Sequence, residues 1–166
     1  LVGGGVDLVA TSGALAAAPG VMGATSTLVA AGANQSVTFF GASAPAALTP
    51  LGTYSAMPSS ALHVALGDRR AFVFKSSGAV DAVDLTTIAS PQVRGSYTTP
   101  SVVAMALEGD RLYLMRGNAP YGSVEVLDVH DLTTPTSLGS WANPGGSPTG
   151  IAVEGAGATM GAISSR

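Results

Sequence analysis

Apolar and polar positions alternate along most of this chain in stretches of five to seven residues, and turn residues interrupt every stretch. LHVAL (62–66), RAFVF (70–74), AVDAVD (79–84) and VRGSY (93–97) form one set of four. VVAMAL (102–107), RLYLM (111–115), SVEVLD (123–128) and SLGSW (137–141) form another. The breaks carry Gly67-Asp68 and Gly109-Asp110, the Gly-rich loops 76–78 and 117–122, and proline-containing loops. No segment has the length and 3.6-residue period of a substantial helix. The pattern predicts an all-β protein of short strands.

The two sets are copies. Val80 falls on Val124, Asp81 on Glu125, Val83 on Leu127, Asp84 on Asp128, Pro91 on Pro135, and Gly95-Ser96-Tyr97 on Gly139-Ser140-Trp141, all 44 positions apart. The tetrapeptide DLTT occurs in both copies but misleads, because Asp84 and Asp131 lie three positions out of register. An earlier copy lies 43 residues upstream, with Val37-Thr38-Phe39-Phe40 matching Val80 onward and Gly52-Thr53-Tyr54 matching Gly95-Ser96-Tyr97. A partial copy begins at GIAVEGAGATMGAI (150–163).

Four strands in roughly 40–45 residues, repeated, is the arithmetic of a β-propeller blade. One small twisted sheet cannot bury both of its faces alone, whereas like sheets stacked radially bury them against each other. The fold expectation is therefore a β-propeller of four-stranded blades of about 43–44 residues. The units run roughly 16–60, 61–101 and 102–148, with a partial unit formed by 149–166 together with 1–12, all in one repeat domain. The aromatics Tyr54, Tyr97 and Trp141 are expected as inter-blade spacers at a constant depth. The Trp-Asp strand ending of WD40 repeats is absent.

Three units and two partial ends fall short of the four to eight blades with which propellers close. The expectation is an incomplete propeller, or one closed by other chain segments. GVDLVA (5–10) resembles AVDAVD (79–84), so the first residues are candidates for the third strand of the blade begun at 150–163. A chain starting at Leu1 also suggests processing or a missing portion.

The run Val80-x-x-Val83-Asp84-Leu85 with Pro91 and Gly95-Ser96-Tyr97, and its copy through Leu127-Asp128, Pro135 and Gly139-Ser140-Trp141, resemble LVIVD repeats. In that pattern a strand ends in two hydrophobic residues and an Asp, and a polar turn, a Pro and a Gly-x-aromatic strand follow. The resemblance spans about residues 23–160, although in the first unit Phe40-Gly41 replaces the hydrophobic-Asp step and Pro50 is out of register. It implies a propeller-type repeat of the sort found in mostly extracytoplasmic bacterial and archaeal proteins, chiefly scaffolds. The recurrent Asp84 and Asp128 are expected to cap the turn after their strand through backbone N–H groups.

Composition narrows the function. Hydrophobic residues make up 46%, the mean hydropathy is +0.41 and the net charge is −3. Lys75 is the single lysine, and no Lys/Arg cluster of the kind that neutralises phosphates occurs, so nucleic acid is not an expected partner. Arg69-Arg70 reads as a solvated turn. No apolar run reaches the ~18–20 residues of a membrane span. The absence of cysteine excludes disulfides, thiol catalysis and thiolate metal sites. Between Asp7 and Asp68 no residue is formally charged.

Candidate chemistry is sparse. Asp128-Val129-His130-Asp131 is the densest polar cluster, with Asp128 and His130 on one side of an extended chain, which suits a hard metal or a proton relay, but a single cluster without partners elsewhere reads better as a solvated turn. His63 sits in an apolar strand and reads as a satisfied or edge histidine. The glycines of 155–161 superficially resemble a dinucleotide-binding turn but lack its context. No G-x-S-x-G occurs. Asp81 and Glu125 share a repeat position facing solvent or a neighbouring strand. No catalytic, cofactor or metal residue is assigned. The expectation is a non-enzymatic propeller scaffold or interaction module, secreted or at a cell surface, whose partner is a protein or further copies of itself. The loops 117–122 and 143–149 are its natural contacts. The alternative is part of a propeller hydrolase with its site at the central channel, and a third option is a structural protein that polymerises through open sheet edges.

Overall fold

The computed structural model describes residues 21–24, 28–33, 35–41, 49–55, 59–117, 122–142, 150–153 and 161–162. Alternating side chains and short turns fold them into antiparallel hairpins joined into meanders. The first four-stranded sheet contains β1 (Val21–Ala24), β2 (Leu28–Ala33), β3 (Ser36–Gly41) and β4 (Thr49–Tyr54). The second contains β5 (Ala61–Gly67), β6 (Arg70–Lys75), β7 (Ala79–Asp84) and β8 (Gln92–Thr98). The third contains β9 (Val102–Glu108), β10 (Arg111–Arg116), β11 (Ser123–Asp128) and β12 (Thr136–Ala142). A two-stranded sheet of β13 (Ile151–Ala152) and β14 (Gly161–Ala162) follows.

Within each sheet the strands lie in chain order. The first strands line up from sheet to sheet, β1 against β5, β5 against β9 and β9 against β13. The last strands, β4, β8 and β12, are edges. Pro50 is tolerated within β4 because an edge strand leaves one row of backbone groups unpaired.

The sheets stack face to face because their middle strands are apolar on both sides. Along β6, Ala71 and Val73 join Val37, Phe39 and Tyr54 of the first sheet in one buried cluster. Phe72 and Phe74, one residue out of phase, join Leu112, Leu114 and Leu127 of the third sheet in another. Fully burying a side chain such as Phe72 or Leu114 contributes about 1.5–3 kcal/mol, so the inter-sheet clusters hold the stack together.

One irregularity recurs in all three sheets. The pairing register slips between Phe39 and Phe40, between Ala82 and Val83, and between Val126 and Leu127. Each slip leaves one outer-strand residue without an opposite partner, namely Leu51, Arg94 and Leu138. The glycine just after that residue has a separate reason. A Cβ on Gly95 would lie 2.5 Å from the carbonyl oxygens of Leu132 and Thr133, in the turn after β11. Gly52 meets Ile88 of the turn after β7 in the same way. The glycine of the Gly-x-aromatic strand thus admits the next sheet's turn.

Candidate functional site

The most concentrated polar chemistry lies between the sheets. Asp81 is only 3% exposed and Glu125 6%. The Tyr54 hydroxyl, at the end of the first sheet, donates to Asp81 Oδ2 at 2.7 Å, and Lys75 Nζ pairs with the same oxygen at 2.7 Å. The next interface repeats the arrangement. The Tyr97 hydroxyl donates to Glu125 Oε1 at 2.8 Å, and Arg116 Nη1 lies 3.3 Å from Oε2. Glu125 also accepts from Ser137 at 3.0 Å and Thr99 at 3.3 Å. Each lock joins an aromatic hydroxyl of one sheet to a carboxylate of the next, whose charge is matched by a cation ending the adjacent strand. Burial pushes the Tyr54 and Tyr97 hydroxyls up from their ordinary range, and the facing carboxylates push them further. Both phenols therefore remain neutral donors at neutral pH.

Of the two environments open to Asp81 and Glu125 in the sequence, the structure selects the neighbouring strand and excludes solvent. The signal lay in covariation within the repeat: an acid in the third strand, a cation at the end of the second, and a hydroxyl-bearing aromatic ending the preceding unit.

Asp84 and Asp128 stand where the repeat predicted and act as turn caps. Asp84 Oδ1 accepts the Thr86 N–H at 2.8 Å, and Asp128 Oδ1 accepts the His130 N–H at 2.9 Å. Asp84 Oδ2 also receives Arg94, the slipped residue, at 2.8 Å and 3.0 Å. The hydrogen bonds from Thr86, then those from Arg94, hold the Asp84 carboxyl down at about 2. Asp131 caps its own turn through Thr133 and Thr134, which keeps its carboxyl low.

Arg70 corrects a sequence reading. It is not part of a solvated turn but reaches into the third sheet, where Nη2 donates to Gly109 O at 2.6 Å and Asp110 Oδ1 at 2.9 Å, and Nη1 to Val129 O at 3.1 Å. Its neighbour Arg69 is exposed, with φ of 53° in the β5–β6 turn. Asp110 also faces His130 Nδ1 at 3.1 Å, and Arg70 and then His130 lower its carboxyl. His130 and Asp131 are both exposed, and among the described residues no enclosed site forms around them. His63 stacks on Phe74 with ring centroids 6.1 Å apart, and burial lowers its pKa despite the hydrogen bond the imidazole donates to the backbone of Val102.

Among the described residues, no group of three or more His, Asp or Glu side chains is placed to hold a metal ion. No helix among them is long and apolar enough to cross a membrane. The loop residues 118–121 and 143–149, most of the 155–161 glycine segment, and GVDLVA (5–10) lie outside the described residues.

A second correction concerns Trp141. It occupies the repeat position of Tyr54 and Tyr97 yet is 54% exposed, and among the described residues no sheet covers it. It borders an open groove of about 370 Å³ on the outer face of the third sheet, together with Arg111, Tyr113, Val124 and Val126.

Repeated four-stranded meanders, stacked face to face with their first strands aligned, define a β-propeller. Comparisons with solved structures place the chain in that class. It superposes on Sqt1 of Saccharomyces cerevisiae with a TM-score of 0.58 at 14% identity, covering 73% of this chain and 34% of that one. For the β-propeller domain of Cps50 (Swd1) from Myceliophteria thermophila, the TM-score is 0.57 at 9% identity, covering 80% and 45%. For the computationally designed Ika4 protein it is 0.61 at 13% identity, covering 88% and 86%. The chain therefore spans about a third of the length of Sqt1 but most of the length of Ika4. No family model and no curated protein matches the sequence.

Proposed function

We propose that this chain is a non-enzymatic β-propeller scaffold of LVIVD-repeat type that works outside the cytoplasm and presents its loops to a protein partner. The observation that carries this reading is where the charges go. Asp81, Asp84, Glu125 and Asp128 recur with the repeat, and each is spent on an inter-sheet lock or a turn cap. The frame uses its own ionisable groups, which leaves the connecting loops to carry specificity. Lysine-poor composition and the repeat resemblance support the extracytoplasmic part.

The test places a photo-crosslinking residue at position 119 or 146 of the full chain in the cells that make it. The reading expects a discrete protein adduct from the loop positions and none from the exposed turn position Thr87. Adducts of equal yield from all three positions overturn it. So does turnover of ester, phosphate or glycoside substrates by the purified chain. Protease protection in intact cells that is lost only on lysis overturns the location alone.

A further inference from the structure

The three outer strands occupy the same place in the repeat but are not equally protected. Each presents a row of unpaired N–H and C=O groups, which another chain can extend unless charge or proline blocks it. Pairing slips at Leu51 in β4, Arg94 in β8 and Leu138 in β12. In β4 the residue before the slip is Pro50, which lacks an N–H to donate. In β8 the slipped residue is the charged Arg94, held at the rim by Asp84. β12 has Ser137 and Leu138 at these two positions, and no charged residue occurs between Asp131 and Glu154. All seven residues of β12 are exposed. Leu138 and Trp141, at 57% and 54%, are the most exposed large hydrophobic side chains among the described residues. β13 lies against β9, at the opposite side of the third sheet, so it leaves this edge clear.

We propose that two copies of this chain join through this edge, residues 138–142 of each pairing antiparallel about a two-fold axis at Ser140. A second copy is the occupant because the strand is complementary to itself. Two identical antiparallel strands with the axis at one residue set each neighbour before that residue opposite the neighbour after it. With the axis at Ser140, Trp141 of each copy lies opposite Gly139 of the other, and Leu138 lies opposite Ala142. Gly139 and Trp141 are two residues apart on one face and border the same groove. Nothing lies within 4 Å of a Cβ built on Gly139, and its φ of 150° disfavours any other residue. The main chain is therefore bare where the indole of the other copy arrives. Directly opposed positions in a sheet stand about 4.5–5.5 Å apart, close enough for the ring to cover the glycine. The contact is made twice, once from each copy. The slip at Leu138 falls at the end of the paired stretch and does not interrupt it. No charge on the strand repels its copy. The equivalent residues of β4 and β8 have no such freedom, because the next sheet's turn fills the space at Gly52 and Gly95, and Tyr54 and Tyr97 are engaged in the locks. The two-fold contact uses up the edge of both copies, so it stops at a dimer. It does not depend on what the loops bind.

The experiment measures the mass of the full chain in solution by light scattering over a wide concentration range. The expected result is twice the mass of one chain at high concentration, falling to one on dilution. Leu138→Lys gives β12 the kind of guard that Arg94 gives β8, and should weaken the dimer roughly tenfold or more. Val93→Lys, on the exposed edge of β8, should leave it unchanged. A single-chain mass at every concentration overturns the proposal, and so does a mass that grows past two copies or equal weakening by the two variants. The unaltered chain decides the matter if Leu138→Lys does not fold. Trp141 is the only tryptophan, so its emission reports on this edge. Dilution should raise its quenching by acrylamide and speed amide exchange within 138–142 over the same concentrations. Shielding of Trp141 without protected β12 amides would mean a contact between faces, and overturns the edge pairing.

Discussion

The Tyr54 hydroxyl donates a 2.7 Å hydrogen bond to Asp81 across the gap between the first and second sheets. That carboxylate is buried and already paired with Lys75, so three groups share one site almost without water. Removing the acid strands a buried ammonium, and breaking a buried pair in this way costs about 3–5 kcal/mol. Asp81→Ala is expected to lose that much in urea unfolding. Tyr54→Phe, which leaves the ion pair intact, should lose about 1.5–3 kcal/mol, the usual worth of a hydrogen bond to a charged group. Equal, sub-kilocalorie losses in both variants would show that the lock is not structural.

The same locks have an alkaline signature. Tyr54 and Tyr97 have raised pKa values in the folded chain, through burial first and the facing carboxylates second. A raised folded-state pKa gives stability that is fully present below the unfolded phenol value of about 10 and is lost as pH rises above it. Ultraviolet titration of the native protein should therefore show Tyr54 failing to ionise near pH 10 and appearing only as the chain unfolds, with Tyr97 delayed relative to a free phenol. In Asp81→Asn the Tyr54 phenolate should appear at lower pH.

At the acid end the relevant group is Asp84. Its carboxyl is held at about 2 by the Thr86 and Arg94 hydrogen bonds. A depressed folded-state pKa gives stability that is present above the unfolded carboxylate value, about 4, and is lost as pH falls through the folded value. Asp84→Asn keeps an oxygen for the Thr86 N–H but removes the charge. Thermal melts from pH 5 to pH 2 should show a shallower loss of stability in this variant than in the parent. Parallel curves would mean that Asp84 takes no part in acid unfolding.

Much of this frame was legible before the structure. AVDAVD and SVEVLD coincide with β7 and β11, and six of the other segments lie within a residue or two of their strands. The alternation is regular there, and the Gly-Asp turns and prolines mark the ends. Pairings across sheets were harder to read. Tyr54 and Asp81 are 27 residues apart in different sheets, and no local pattern ties them together. Arg70 read as a solvated turn because its partners are main-chain carbonyls of another unit, which carry no sequence signal. Trp141 read as a spacer by analogy with its copies, but burial depends on what stands opposite, and among the described residues no sheet covers it. Turn caps were the opposite case. Asp84 and Asp128 bond N–H groups two residues away, so their role was written locally.

Arg70 should be sensitive to shape as well as charge. Its guanidinium divides three hydrogen bonds between two carbonyls and Asp110, a fork that an ammonium cannot reproduce. Arg70→Lys is expected to lose most of the stability lost by Arg70→Ala, roughly 1–3 kcal/mol at low salt. Added salt should weaken the Asp110 part but leave the carbonyl bonds in place. Full rescue by lysine would reduce the clamp to a simple surface ion pair.

Gly95 gives the sharpest test of how the sheets are spaced. A Cβ there meets the Leu132 and Thr133 carbonyls at 2.5 Å, and both belong to the main chain of the next sheet's capped turn. No rotamer change relieves such a contact, so the third sheet must move away from the second. That separation loosens the Tyr97–Glu125 lock and the cluster built on Phe72 and Leu112. Gly95→Ala is expected to destabilise by about 1–3 kcal/mol or more, as overpacking does. Ser96→Ala, one residue on and exposed, should change stability by less than about 0.5 kcal/mol. If Gly95→Ala matched Ser96→Ala in urea unfolding, the close approach of the turn would be disproved. The Gly-x-aromatic repeat would then need a cause other than the fit of one sheet against the next.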